Sequence, residues 1–582
     1  MLDLLVKYAV DHELVAEPGF APKTAKWCIS FSSDGRCLGI SEIGDTSNKK
    51  NPGQTFKKCP ELQQKELVGG GEPRSHFLME SAQTVALLFA NSEDEKNNYA
   101  KASAKRKYFL DLLANASGSM PALGIAAQSM ADERNAAFIH EEAVSRKVKP
   151  TDRMTIAIGG GYPVESDAWH DWWREFRDDL NQNAKTREGM RCFVTGGIHE
   201  PLATMPKILR LSDVGGLPTG DAFSCYDKEA FRSYGLEQSA NCAVCEESAF
   251  AYRAALNDLI ENHSKKLAGT KVAHWFSHPV RVEDDPFAWL DSGYSDERQE
   301  RDAQYAAAGM LDAIRTGKRS DLSGNRYYAL TLSGASGRVM VRDWMEGSFE
   351  DLLENIESWF ADLSIVRRDG TGTAQPPKFM AVMGALVRDL ADIPAPMLAG
   401  MWHTAVNRRP IPRSALAQAL ARARIAIIKD DPASHARMGL IRAYHVRNTT
   451  EGEQMTVFLN EDHPNPAYQC GRLMAVLADL QRSALGDVGA GIVQRYYAAA
   501  SSTPALILGR LTRTSQFHLG KLDPGLAYWY EGKIAGIWAR LENNLPMTLN
   551  LEEQSLFALG YYQQIADKRN SNKKNAEEKE NV

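Results

Sequence analysis

The stretch from Met455 to Val582 constrains the fold most, because it reads as a helical unit with its own start signals. Proline follows a capping-type residue at Asn465-Pro466, Thr503-Pro504 and Asp523-Pro524. Proline is favoured at the first position of a helix, where its missing N–H costs nothing. Asn550 followed by Glu553 gives a further, box-like start. Between these signals apolar residues recur at helical spacing: Leu473, Val476, Leu477 and Leu480; Leu506, Leu511 and Leu519; Ile534, Ile537, Trp538 and Leu541; Leu556, Leu559 and Tyr562. A segment punctuated in this way is expected to fold as an all-α bundle, separable from what precedes it.

What precedes it has strand signals. In residues 26–44, Trp27, Ile29 and Phe31 alternate, Asp34-Gly35 supplies a turn, and Leu38 and Ile40 resume the alternation, which predicts a β-hairpin. Strands are expected at Met154–Ile158 and Arg191–Thr195, and helices within 77–115, over 165–182 and from Glu246 to Glu261. A second hairpin followed by a helix is expected at 327–362, and beyond Pro376 the pattern is mostly helical. The polar stretch 45–75 is too long for a plain connector. The fold class is therefore α+β: a mixed α/β body with antiparallel hairpins over 1–375, a basic helical connecting region over 376–454, a helical bundle over 455–570 and a disordered tail over 571–582.

With 582 residues, 43% of them hydrophobic and 24% charged, the chain is an ordinary globular one of several domains. Eight cysteines are too few for a disulfide-built secreted fold. No run of 18 apolar residues marks a membrane span, and the charged N-terminal stripe is not a signal peptide. A cytoplasmic protein without membrane contact is expected. The net charge of −6 excludes a generally basic nucleic-acid binder, so any such surface is a local patch.

No catalytic constellation stands out. Cys242 and Cys245 form a C-x-x-C without the second ligand pair that a structural zinc site needs. His274 and His278, with Glu283, Asp284 and Asp285 following, offer the alternative of a metal-dependent nuclease. The glycine runs lack a phosphate-binding fingerprint, and neither metal nor cofactor is expected. The basic clusters carry more. Lys57, Lys58, Lys65, Gly69, Gly70, Gly71 and Arg74 form a cationic, glycine-bearing segment, and Lys101, Lys105, Arg106 and Lys107 follow it. Arg338 and Arg342 share one face of the second hairpin. From Arg408 to Arg447 nine basic residues, among them Arg408, Arg409 and Arg413, face only Asp430 and Asp431. Such clusters on an acidic chain point to polyanion contact. In the bundle, Arg472, Arg510, Arg513 and Arg540 are candidates if they converge.

Three stretches together resemble one family, the large subunit of the type I-C CRISPR surveillance complex (Cascade). The first runs from Ser224, SCYDKEAFRSYGLEQSANCAVCEESAFAYRAALNDLI, with Ser224, Tyr234, Gly235, Gln238, Asn241 and Glu247 in the family's pattern. The second is YYALTLSGASGRVMVRDWMEGSFEDLLENI. The third joins NPAYQCGRLMAVLADLQRSALGD to ASSTPALILGRLTRTSQFHLGKL. Departures are Ala243 and Cys245, where the family has Pro and Ser, and Glu80-Ser81 after Phe77-Leu78, where it has Asp-Asn.

The resemblance implies a non-catalytic DNA reader. Guide RNA reads sequence, while protein reads a short protospacer-adjacent motif in duplex DNA and holds the displaced strand. The implied partners are the guide RNA complex, its backbone and RNA-handle-binding subunits, a small subunit, target duplex, displaced strand and a separate helicase-nuclease. The 45–75 segment and Lys101 to Lys107 would be the duplex grip. The resemblance also implies that the C-terminal unit is made separately as the small subunit from an internal start, for which Met455 is suited and Met438 is the rival. Besides the nuclease, the alternative is a scaffold touching only protein.

Overall fold

The computed structural model describes residues 1–582 except 16, 45–52, 63–65, 68–72, 183–188, 203, 291–296, 430–434, 450–454, 487, 543 and 581–582, with 181–182, 297–303 and 572–580 described as backbone. Lys65, Gly69, Gly70 and Gly71 lie outside the described residues, as do Asp430 and Asp431. The chain divides into two units. The first comprises 1–210, 217–258 and 336–339; the second comprises 211–216, 259–335 and 340–582.

In the first unit, helix α1 (Leu2–Asp11) precedes β1 (Phe20–Ala25), which pairs antiparallel with β4 (Gln54–Pro60). The expected first hairpin forms from β2 (Trp27–Phe31) and β3 (Cys37–Glu42), in register Ile29↔Ile40, with Gly35 at φ 88° in the left-handed position of its turn. β2 runs parallel to β6 (Arg153–Ile158), and β5 (Met79–Ser81) pairs antiparallel with β6, giving a sheet of order β3-β2-β6-β5. Helices α2 (Ala82–Val85), α3 (Ser92–Asn115), α4 (Pro121–Ala131) and α5 (Glu133–Ser145) follow β5, and α6 (His170–Gln182) follows β6. Asn91 starts α3 by accepting the Glu93 and Asp94 N–H groups at 3.1 and 2.9 Å. The core joins sheet to helix through Phe31, Phe77, Trp169 and Trp173. The two indoles satisfy their N–H groups on the Pro163 and Gly19 carbonyls at 2.8 and 2.7 Å.

The strand expected at Arg191–Thr195 is shorter than the alternation suggested. Met190–Arg191 pairs with Ile198–His199, and Cys192 to Thr195 turn instead. The Gly196 N–H closes that turn on the Cys192 carbonyl at 2.9 Å. The helix expected at 246–261 is α7 (Glu246–Asn262).

In the second unit, β7 (Ser264–Leu267), β8 (Thr270–Phe276), β9 (Arg326–Ala335) and β10 (Arg338–Ser348) lie side by side, with β9 and β10 as the expected second hairpin. Helix α8 (Glu297–Arg315) precedes β9, and α9 (Phe349–Leu363) follows β10, capped by Ser348, whose hydroxyl accepts the Asp351 N–H at 3.0 Å. All further elements are helical: α10 (Phe379–Leu386), α11 (Ala395–Val406), α12 (Arg413–Ile428), α13 (His435–Asn448), α14 (Pro466–Leu485), α15 (Ile492–Ala500), α16 (Pro504–Leu519), α17 (Pro524–Leu541) and α18 (Leu551–Glu580).

The sequence signals for these starts are realised by different means. Asn465 and Asp523 cap through their side chains, onto Ala467 and Leu526 N–H at 2.9 and 3.0 Å. Thr503 makes no side-chain cap and leaves the start to Pro504. Asn550 and Glu553 form a reciprocal box, with bonds of 2.8 and 2.9 Å. Helices α14 and α18 approach backbone to backbone. A Cβ on Gly471 would lie 2.0 Å from the Phe557 carbonyl oxygen, and one on Gly560 would lie 2.2 Å from that of Tyr468.

One apolar cluster runs through the second unit from Leu267 to Ala566. The expected boundaries at 375/376 and 454/455 both fall inside that unit. α12 and α13 pack on α18, with His445 Nε2 at 2.7 Å from the Ser555 hydroxyl and the Tyr444 hydroxyl donating to Glu552 at 3.4 Å. The tail expected to be disordered has a helical backbone as far as Glu580, in keeping with the high helix propensity of its Lys, Glu and Ala residues. Among the described residues no helix is long and apolar enough to cross a membrane.

Candidate nucleic-acid interface

Directly after the polar 45–75 segment the chain is anchored by Phe77, whose ring lies 5.5 Å from both Trp169 and Trp173. Leu78 holds a left-handed φ of 58° while its carbonyl accepts the Thr155 hydroxyl at 3.1 Å. Glu80 accepts the His76 and Ser81 N–H groups at 3.0 and 2.8 Å, so this carboxylate serves the backbone. Ser81 bonds Thr84 at 3.2 Å at the start of α2.

Cations gather round His76. Lys23, itself buried, donates to the Pro60 carbonyl at 2.8 Å and lies 3.5 Å from His76 Nδ1. Burial, and then the charges of Lys23, Arg153 and Lys105, hold the His76 imidazole well below its ordinary value. Arg74 donates to the Glu66 carbonyl at 2.7 Å and places its charge beside Tyr108. On α3, Lys101, Lys105 and Tyr108 recur at helical spacing and share one face. Arg74, Lys101, Lys105 and Arg153 form no ion pair with a described residue, and nearby Glu66 and Glu61 are taken by Arg177 at 2.9 Å and Arg253 at 3.3 Å, while Lys107 is exposed on another face of α3. This side of the first unit therefore carries positive charge that the fold leaves unneutralised.

Arg106 belongs elsewhere. Its guanidinium donates to the Val85 and Met130 carbonyls at 3.0 and 2.7 Å, tying α3 to α2 and α4, and it leaves the list of DNA contacts. Lys57 and Lys58 are both exposed at the β1–β4 bulge, and Lys58 acts on Glu17 and His170. Arg338 is exposed, 3.9 Å from Asp227.

In the second unit most of the basic run is consumed internally. Arg437 donates to the Ala385 carbonyl at 3.1 Å, Arg442 to the Met455 and Asp362 carbonyls at 2.9 Å each, and Arg447 pairs with Asp362 at 2.7 Å over the Trp359 ring. Guanidinium forks suit carbonyl clusters at helix ends, which is why this stretch reads as basic yet presents little charge. Arg413 is exposed but paired with Glu552 at 2.7 Å, and Arg342 donates to Ser333 at 2.8 Å. Arg408 and Arg409 remain exposed in the turn before α12.

The four arginines of the bundle do not converge. Arg472 is 1% exposed, its fork spent on Gln564, Gln469 and the Glu461 carbonyl, so it is a core residue and is withdrawn as a strand contact. Arg540 is neutralised by Asp462 at 2.8 Å. Arg510 and Arg513 are exposed without an ion pair to a described residue. They continue a stripe on α16 with Leu506, 65% exposed, and Phe517, 77% exposed. Leu506 was expected inside; Leu508, Leu511, Ser515 and Leu519 take the buried face instead. Arg153 and Phe517 had no sequence signal: one is a lone arginine opening a strand, the other an apolar residue one position off the buried stripe.

The residues of the nuclease alternative have local partners. His274 Nε2 lies 2.7 Å from Asp285, Asp284 pairs with Arg319 at 3.0 Å, and His278 lies 3.3 Å from the Ser277 hydroxyl. Cys245 faces Cys192, sulfur to sulfur at 3.7 Å. Among the described residues no group of three or more His, Cys, Asp or Glu is placed to hold a metal ion.

A family model described as CRISPR-associated protein (Cas_Csd1) matches residues 5–568. No curated protein matches the chain.

Proposed function

The chain belongs to the Cas_Csd1 family of CRISPR-associated proteins, the large subunits of type I-C Cascade, and on that premise we propose that it grips the protospacer-adjacent motif in duplex DNA with the cationic side of its first unit. The observation that supports this most is the group Arg74, Lys101, Lys105 and Arg153, with Lys105 and Arg153 beside His76, unpaired by described carboxylates on a chain whose net charge is −6. Four such groups within reach of one backbone supply the salt-dependent part of duplex binding. Positioning contacts of this kind set the register in which a loop enters the groove. On this reading the groove contact comes from the 45–75 segment, which includes β4 and leads into the Phe77 anchor.

The protein does not cut DNA on this reading. It holds the opened duplex, lets guide RNA pair with one strand and passes the particle to a separate helicase-nuclease. The helices from 455 onward guide the displaced strand along the Arg510–Arg513 face, and the same segment, started internally at Met455, supplies the small subunit.

The test is charge reversal within the assembled particle. Lys105→Glu with Arg153→Glu should weaken binding to motif-bearing duplex at least tenfold and flatten its dependence on salt, with assembly on guide RNA intact. Binding and salt slope equal to wild type would remove this surface. Metal-dependent cleavage by the purified chain, lost in His274→Ala, would favour the nuclease instead.

A further inference from the structure

Helices α14, α17 and α18 enclose a cavity of about 530 Å³. Its floor is fixed by Tyr530, fully buried, whose hydroxyl donates to Asp479 at 2.6 Å and lies 2.8 Å from the Ser483 hydroxyl. The preceding residue, Trp529, lines the cavity, where the indole is 39% exposed and meets Tyr530 edge-on at 4.8 Å. Two lysines flank the indole. Lys568 Nζ stands 4.2 Å from the ring centroid and 3.2 Å from Asp479, and Lys533 Nζ stands 6.0 Å from the ring and 3.1 Å from Glu461. Arg482 and Arg569 also line the cavity, so its cations outnumber Asp479 and Asp567.

This combination selects its guest. An indole 39% exposed at a cavity forgoes part of its burial energy, which a flat apolar guest would recover. A cationic guest is disfavoured, because two ammonium groups already occupy the surroundings of the ring. A simple anion would need the lysines but not the indole. A nucleotide needs both: its base stacks on an aromatic face and its phosphate is met by lysine, the pairing found in single-strand grooves. The volume lies within the range of small-ligand sites, about 300–1,000 Å³. To meet a phosphate and free the ring face, Lys568 would exchange Asp479 for the ligand, a move its flexible stem permits.

We propose that this cavity takes one nucleotide of a single DNA strand, its base against Trp529 and its phosphate between Lys568, Lys533 and Arg482. The inference rests on the reading of the bundle as a guide for the displaced strand, and it turns a diffuse cationic face into a site with a base pocket.

The full-length chain is titrated into fluorescein-labelled oligodeoxythymidine and anisotropy is followed. Trp529→Ala should weaken binding about tenfold, the order of one lost base–aromatic stack, and Trp529→Phe should restore most of it. With 5-bromodeoxyuridine in the strand, ultraviolet crosslinks should fall on the peptide containing Trp529 and Tyr530. Thermal melting confirms that both variants are folded. If Trp529→Ala binds as wild type while Arg510→Glu with Arg513→Glu weakens binding, the pocket is refuted and the strand-guiding role of the bundle stands. If wild type fails to bind the oligonucleotide, both fall. Thymidine monophosphate that binds but is not displaced by the strand would assign the cavity to a free nucleotide and overturn the proposal.

Discussion

At the scale of single residues, what separates a DNA contact from a structural arginine is where its donors already point. Arg106 and Lys105 are neighbours in sequence, yet Arg106 spends its fork on two carbonyls, whereas Lys105 makes no ion pair with a described residue. Arg106→Ala should therefore destabilise the first unit by roughly 1–3 kcal/mol, the cost of buried acceptors left unsatisfied. The duplex affinity of the folded fraction should be unchanged. Lys105→Ala should leave melting unaltered and reduce the slope of log affinity against log salt by about one. Melting and salt titration on the two variants read this, and the opposite pattern would reverse the assignment. None of it was legible in the sequence, where Lys101 to Lys107 form one undivided cluster. Composition gives charge, but only the helical phase of α3 and the carbonyls opposite it say which charges are free.

At the scale of elements, starts and strands were the most legible part, since each has a local cause. The Asn550–Glu553 box formed as expected, and Asn550→Ala should cost about 1 kcal/mol of stability, read by urea denaturation. The tail was misjudged, because Lys, Glu and Ala carry enough helix propensity for the backbone to continue as a helix to Glu580. The basic run 408–447 divides: Arg408 and Arg409 stay exposed, whereas Arg437, Arg442 and Arg447 lie in a core and are spent on carbonyls and Asp362. Burial there has a pH consequence. His445 and His463 are both held down to about 4 by burial, His445 further by the charge of His463. The fold therefore prefers them neutral, while the unfolded chain protonates near the ordinary histidine value. Their stabilising effect is complete above about pH 6.5 and is lost as pH falls toward 4. The second unit should lose on the order of 2–3 kcal/mol per histidine over that window. A His445→Gln variant should show a shallower fall, and an equal fall would contradict the assignment.

At the scale of the whole molecule, the fold class and the family were readable from ordered motifs spread along the chain, but the partition was not. Helix starts announce where an element begins and are silent about what it packs against, so 376–454 and 455–570 looked like neighbours and share one core. This matters for the proposed small subunit. A separate 455–582 segment lacks α12 and α13, and the α18 surface that they cover would be open to a new partner. Expressed alone, this segment should self-associate or bind an apolar probe more than the full chain does; a monodisperse monomer without probe binding would oppose that expectation. Met455 is buried, and Leu fills a similar volume there. Replacing its codon by one for Leu should abolish the small band while leaving the large subunit stable. Persistence of the band would move the start to Met438 or remove it.

The central claim, that the cationic side of the first unit clasps the motif-bearing duplex, is tested most directly by crosslinking mass spectrometry on the assembled particle loaded with target DNA, the photoreactive base placed in the flanking duplex. Crosslinks should concentrate on peptides carrying Arg74, Lys101 to Lys107 and Arg153. Flanking-duplex crosslinks confined to other subunits, or to the helices beyond Met455, would contradict it.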